Sequence, residues 1–257
     1  MKAVILAGGL GSRLSEETYI KPKPMVDISN RPIIWHIMKY LSLFKIKHFI
    51  ICCGYKGEII KDYFLNYQNN QNDIRISFKD NNVEKLNNVI DDWTIDLIDT
   101  GQDSLTGGRL KLIDKYLGND EHFLMTYGDG LADINIHELI KFSRSHSSKT
   151  VVTAVQPDGR YGSLKLNKKK IVTNFFEKPK GDDKWINGGY FIIKRSHLKY
   201  IKNLKTAWED QPLKKITKQK ELVAYQHKGF WKAMDTLSDK NYLENLVKNK
   251  KAPWIKW

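Results

Sequence analysis

The segment LAGGLGSRLSEETYIKPKP, from Leu6 to Pro24, follows an apolar run and combines glycines, one arginine and two lysines set among prolines. Glycine lets backbone amides come close to a ligand, and successive amides in a turn form an anion-binding concavity. Arg13 adds a planar fork of donors suited to phosphate oxygens. Lys21 and Lys23, bounded by Pro22 and Pro24, are expected in an extended segment that presents one cation to a phosphate. The dinucleotide fingerprint fails here, because the run Gly9-Leu10-Gly11-Ser12-Arg13-Leu14 lacks its third glycine. The Walker pattern fails too, for want of Gly-Lys-Ser/Thr at the required spacing. What remains is a glycine loop able to cradle a phosphate, or, more plainly, a tight structural turn.

Asp129 stands in MTYGDG, where the strand-like run HFLMTY ends. At the carboxyl end of a central strand it would face the crevice in which open α/β sheets bind ligands. A turn aspartate is the plainer reading. Asp235, in GFWKAMDT, is ambiguous alone, since Asp-Thr also opens helices and turns. Together the two would make an oxygen-ligand magnesium site, completed by substrate phosphates and water. Glu177-Lys178-Pro179, taken alone, is a surface turn. Cys52 and Cys53 follow a strand-like run and are expected as buried thiols in a reducing compartment.

Whether these residues meet depends on the elements that carry them. A chain of 257 residues, 41% hydrophobic and 28% charged, is long enough for one α/β domain with a sizeable core. KAVILA, HFIICC, HFLMTY and TVVTAV read as strands covered on both faces. IRISF and TIDLIDT are further strand candidates. RPIIWHIMKYLSLF has apolar residues at helical spacing, with Pro32 near its start. GEIIKDYFLNY, GGRLKLIDKYL and NIHELIKFSRSH follow as helices. This alternation predicts a mostly parallel central sheet flanked by helices, a Rossmann-like arrangement. After Pro157, YGSLKL, IVTNFFEKP and NGGYFII predict a small β-rich lobe. SDKNYLENLVKN is the last helix, with Ser238 as its N-cap and no full capping box, because Asn241 stands three positions on.

The formal net charge of +14 raises polyanionic partners, nucleic acid among them. The lysines are scattered, however, with short clusters only at Lys168–Lys170 and Lys248–Lys251. There is no zinc-finger spacing and no basic-zipper pattern, so a solvated lysine-rich surface and no nucleic-acid partner are expected. No apolar run approaches the length of a spanning helix. MKAVILAGG is too short and glycine-rich for a signal peptide, so a cytoplasmic protein without membrane insertion is expected.

With these motifs assembled, the chain resembles the sugar-phosphate nucleotidyltransferases, or sugar-nucleotide pyrophosphorylases, over nearly its whole length. AGGLGSRL is similar to the amino-terminal signature of that family, GDG to its strand-end aspartate and EKP to its sugar-phosphate lysine. LSEETYIKPKPMV, FIICCGYKG, DTGQDSLTGGRL, INGGYF and KAPWIKW resemble the members that join CTP to α-D-glucose 1-phosphate. Members with UTP, dTTP or mannose 1-phosphate as substrate are the alternatives. The resemblance implies that backbone from Leu6 through Ala7, Gly8 and Gly9 to Gly11, with the Ser12 hydroxyl, contacts the nucleotide. Arg13 would grip the triphosphate, and Lys23, preferred over Lys21, would approach the α- and β-phosphates; these two and Asp129 are the expected catalytic residues. Asp129 and Asp235 would hold Mg²⁺. Lys178 would meet the sugar phosphate, Glu177 the sugar hydroxyls, and the turn of Asn187, Gly188 and Gly189 would line the sugar pocket. Thr106, Gly107, Gly108 and Arg109 would lie near the base and ribose. Ser12 replaces the usual threonine of the family, with less rigidity expected and no lost function. On this reading residues 1–257 form one domain, 1–155 its nucleotide-binding part and 156–257 its sugar-phosphate and C-terminal part. A homo-oligomer, of the hexameric kind, and a role in supplying CDP-glucose for bacterial surface polysaccharides are further implications. A nucleic-acid module or an inactive scaffold leaves the spacing of the glycine loop, Asp129, Lys178 and Asp235 unexplained.

Overall fold

The computed structural model describes residues 1–87, 89–157, 159, 162–177, 181 and 184–257; the side chains of Arg13, Ser15 and Glu16 also lie outside the description. In the first half the chain runs β1 (Ala3–Leu6), α1 (Ser15–Thr18), β2 (Asp27–Ile28), β3 (Arg31–Pro32), α2 (Ile33–Ser42), β4 (His48–Cys53), α3 (Gly57–Leu65), α4 (Tyr67–Gln71), β5 (Ile74–Ser77), β6 (Asn82–Lys85), β7 (Thr94–Asp99) and α5 (Thr106–Ile113). It continues through β8 (His122–Tyr127), β9 (Gly130–Ala132), α6 (Ile136–Arg144), β10 (Thr150–Val155), β11 (Ser163–Leu166), β12 (Val172–Phe176), β13 (Ile186–Lys194), α7 (Gln211–Lys218), β14 (Leu222–His227), β15 (Trp231–Ala233) and α8 (Leu237–Lys248).

Seven strands form the central sheet, in the order β14-β10-β13-β8-β1-β4-β7. β1 pairs in parallel with β4 and β8, as do β4 with β7 and β10 with β14; β13 alone runs antiparallel to both neighbours. Successive side chains of a strand point to opposite faces. Ala3 and Ile5 of β1 therefore join a core with α2, α6, α8 and Trp254, while Val4 and Leu6 join another with α5, α7 and Trp208. Burial on both faces is why these strands read as unbroken apolar runs.

Three expectations change. NGGYFII is not part of a lobe: β13 is an interior strand between β8 and β10, so the sheet takes strands from both sides of residue 155. Its start is a bulged strand rather than a turn, with a register shift opposite Val152–Ala154. IRISF is a strand as expected, β5, paired with β6 outside the central sheet, and β11 and β12 form a separate hairpin. Finally, α8 is capped by Thr236, whose hydroxyl accepts from the Asp239 amide at 3.3 Å. Asp239 Oδ2 accepts from the Thr236 amide at 2.9 Å, completing a capping box two residues earlier than Ser238 would place it. Aspartate fills the place usually held by Glu or Gln.

Candidate active site

The strand order reverses at β1: the chain moves outward to β4 and β7, then returns to lay β8 on the other side. Leu6 stands level with Tyr127, so the loops leaving β1 and β8 open side by side. This is the switch point where open α/β sheets bind ligands. A cavity of about 210 Å³ lies there, lined by Gly9, Gly11, Ser12, Lys23, Pro24, Gly128 and Asp129. A larger hollow of about 900 Å³ lies at the other end of β8, beside His122 and Arg195. Arg195 there is paired with Asp114 at 2.6 Å, and the carboxyl-end position favours the smaller cavity.

The glycine loop is built for close approach. A side chain at Gly8 would collide with the Arg109 guanidinium, whereas Gly9 faces open space. Gly11 has φ +65°, and its carbonyl accepts from the Leu14 amide at 3.0 Å and the Thr18 hydroxyl at 3.1 Å. Leu6 and Ala7 are buried, and Ser12 opens a short 3-10 turn through Leu14. The backbone of Arg13 lies in that turn.

Lys21 and Lys23 part company. Lys21 pairs with Asp27, outside the cavity. Pro22 is extended, but Lys23–Met25 form a 3-10 turn rather than a continued extended segment. That turn sends Lys23 inward, where it is only 7% exposed. Its ammonium donates to Asp129 Oδ2 at 2.7 Å and to Asp235 Oδ1 at 2.6 Å. Burial works against this charge, but the two aspartates overcome it and hold the lysine pKa above its ordinary value.

One short two-stranded ribbon brings the carboxylates together. β9 pairs antiparallel with β15, Ala233 opposite Gly130, and the Met234 amide donates to Asp129 O at 2.9 Å. Asp129 precedes the first ribbon strand and Asp235 follows the second. The α8 capping box also holds Asp235, whose amide donates to Asp239 Oδ2 at 3.1 Å. At Gly128 a side chain would meet Pro24 Cγ at 2.9 Å, so glycine lets the lysine segment sit against the end of β8. Among the described residues no group of three or more Asp, Glu, His or Cys side chains is arranged to hold a metal ion. Two carboxylates alone suit a hard cation that keeps waters and takes substrate oxygens, as Mg²⁺ does.

Of the other expected residues, Arg109 reaches this centre through the glycine loop. Arg109 is buried, and its guanidinium donates to Gly8 O at 2.8 Å, Cys53 O at 3.1 Å, Gly101 O at 2.9 Å and Thr100 Oγ1 at 2.6 Å. It binds the glycine loop to the ends of β4 and β7. Gly107 and Gly108 pack on the backbone of residues 204–208, where a side chain at Gly108 would overlap Leu204. Thr106 donates to Glu209 Oε2 at 2.5 Å. Asn187 lies at the start of β13, its Oδ1 accepting from the Gly189 amide at 2.8 Å. The Trp231 indole holds the Gly188 carbonyl at 2.7 Å, a tie without a local sequence signal. Glu177 is exposed just beyond β12, and Lys178 lies outside the described residues. Cys52 and Cys53 are buried free thiols, and burial raises both pKa values, that of Cys53 to about 11.

A switch-point crevice with a glycine loop and an Asp-Lys-Asp cluster defines an α/β protein that handles nucleoside phosphates. The family model described as nucleotidyl transferase matches residues 2–239, and the chain belongs to that family. It is 51% identical over 257 residues to the glucose-1-phosphate cytidylyltransferase of Salmonella typhimurium, with all of both chains covered. It is 41% identical over 245 residues to a probable glucose-1-phosphate cytidylyltransferase of Bacillus subtilis, covering 95% of this chain and 94% of the relative. Among solved structures it is similar to HddC from Yersinia pseudotuberculosis, with a TM-score of 0.71, 26% identity, and 96% of this chain and 99% of the other covered.

Proposed function

We propose that this protein transfers the cytidylyl group of CTP to α-D-glucose 1-phosphate, giving CDP-glucose and pyrophosphate. The convergence of Lys23, Asp129 and Asp235 beside the glycine loop carries the reaction class. The full-length likeness to the Salmonella relative carries the choice of substrates. The sugar-phosphate oxygen attacks the α-phosphorus in line, and pyrophosphate leaves from the opposite side. The nucleophile is already anionic, so no general base is needed, and positioning and charge stabilisation are the protein's tasks. The glycine-loop amides and Lys23 face the phosphates, with Arg13 expected to join them. Asp129 and Asp235 would hold Mg²⁺, which when bound polarises a phosphoryl oxygen and neutralises growing charge. Asn187 to Gly189, with Glu177 and Lys178, would take the sugar phosphate.

The protein is also proposed to work as a homo-oligomer. The β5–β6 and β11–β12 hairpins, outside the central sheet, carry exposed apolar side chains, including Phe78 at 92% and Phe175 at 62% exposed. Isolated two-stranded hairpins are marginal in water, and apolar patches of this kind mark contact surfaces. No described helix is long and apolar enough to cross a membrane.

Pyrophosphate release measured across CTP, UTP and dTTP, each with glucose 1-phosphate and mannose 1-phosphate, tests the substrates. CTP with glucose 1-phosphate is expected to be fastest; faster turnover with UTP or dTTP overturns the cytidylyl assignment. Asp129→Asn and Asp235→Asn should each lower kcat by roughly a thousandfold or more with an unchanged circular-dichroism spectrum. Near-normal turnover in either removes that residue from the metal site.

A further inference from the structure

We propose that Tyr127 and Glu209 are positioning residues for the sugar phosphate, acting by fixing the Asn187–Gly189 segment; this rests on the sugar-pocket reading above. Tyr127 ends β8, two residues before Asp129. Its ring lies against the bulged start of β13: Gly189 has φ +78°, and a side chain there would come within 2.7 Å of Tyr127 Cδ2. The Tyr127 hydroxyl donates to Glu209 Oε1. The other oxygen of Glu209 accepts from the Thr106 hydroxyl at 2.5 Å. The Asn187 side chain lies near the same tyrosine hydroxyl.

This chain of contacts has a direction. A phenol has one proton to give, and Glu209, as a carboxylate, can only accept it. The tyrosine oxygen is then able to accept a hydrogen bond from the nearby Asn187 amide nitrogen. The amide oxygen is already taken by the Gly189 amide at 2.8 Å, which leaves the amide nitrogen as the end that can turn to the tyrosine. Burial and the nearby Glu209 both keep the phenol protonated.

One end of the chain is anchored more firmly than the other. The Thr106 hydroxyl also accepts from the Trp208 amide at 2.9 Å, and Leu105 and Gly108 donate to Leu204 O at 2.9 Å and Thr206 O at 3.1 Å. Trp208 is fully buried. Asn187, by contrast, is exposed and followed by two glycines. Loss of the link therefore loosens the sugar side and leaves the nucleotide side in place.

Steady-state kinetics of Tyr127→Phe, Glu209→Ala and Glu209→Gln, with Asn187→Ala beside them, test this. Tyr127→Phe and Glu209→Ala should each raise KM for glucose 1-phosphate about tenfold, the effect of one well-placed hydrogen bond. KM for CTP should stay within about twofold and kcat within about threefold on the same scale. Glu209→Gln keeps a carbonyl acceptor and should recover part of the loss. Unchanged KM for the sugar phosphate in Tyr127→Phe and Glu209→Ala, with Asn187→Ala impaired, overturns the proposal and leaves the sugar site standing. An unimpaired Asn187→Ala overturns both.

Discussion

Lys23 shows how one side chain can hold a binding site together before any substrate arrives. Two carboxylates within 2.7 Å of a buried ammonium form a compact triad whose middle member carries the positive charge. Removing only that member takes away a positive charge that both carboxylates share, which is costly in a partly buried place. In Lys23→Met, Asp129 and Asp235 have no ammonium between them, so a divalent cation takes that position more readily. Titration with Mn²⁺ in the absence of nucleotide, followed by electron paramagnetic resonance, should show tighter binding than in the unaltered protein. Equal or weaker binding would show that Lys23 does not stand in for the cation. Arg109 serves the loop differently, through its fork of donors on backbone carbonyls. Arg109→Lys keeps the charge but not the fork. It should cost about 3 kcal/mol in urea denaturation by leaving buried carbonyls unpaired.

Among the elements, the start of α8 bears most directly on chemistry. The Thr236–Asp239 box caps the helix and grips the Asp235 amide at once. Thr236→Ala should lower stability by about 1 kcal/mol, as cap removal does, and also reduce kcat. A stability loss with full turnover would separate the cap from the site. Helix α2 carries a pH-sensitive packing contact. His36 Nε2 donates to Ile28 O at 2.9 Å, and Nδ1 accepts from the Trp254 indole at 3.4 Å, the pattern of a neutral ring. Burial, with Arg31 nearby, holds its pKa below the ordinary 6.5. The unfolded chain therefore takes up a proton below about pH 6.5 that the native state refuses. The stability from neutral His36 is complete above that pH and is lost as pH falls through it. Thermal melts from pH 7.5 to 5.5 should show a shallower decline in His36→Gln than in the unaltered protein; equal slopes would exclude the contribution.

At the scale of the molecule, charged and exposed apolar residues share one hairpin outside the central sheet. Lys168–Lys170 occupy the β11–β12 turn as solvated groups, while Leu164, Leu166 and Phe175 stand exposed on the strands of the same hairpin. The β5–β6 hairpin exposes Ile76, Phe78 and Val83 in the same way. If these faces join copies of the chain, Phe78→Asp or Phe175→Asp should lower the mass measured by light scattering without changing the secondary structure. A monomer in the unaltered protein would remove the oligomer from the proposal.

The sequence by itself determined the alternation of covered strands and helices, because two-faced burial writes continuous apolar runs into the chain. It also marked the glycine loop, the GDG turn and the buried cysteine pair, each carried by residues adjacent in sequence. Only the tertiary structure decided where NGGYFII lies, since an interior antiparallel strand and a lobe strand share the same apolar content. It likewise separated Lys23 from Lys21, because a 3-10 turn and the partner Asp27, not local composition, direct the two side chains. The meeting of Asp129 and Asp235 at Lys23, and the pairing of Tyr127 with Glu209, span long stretches of chain. Such contacts depend on strand order and register, which no local pattern encodes.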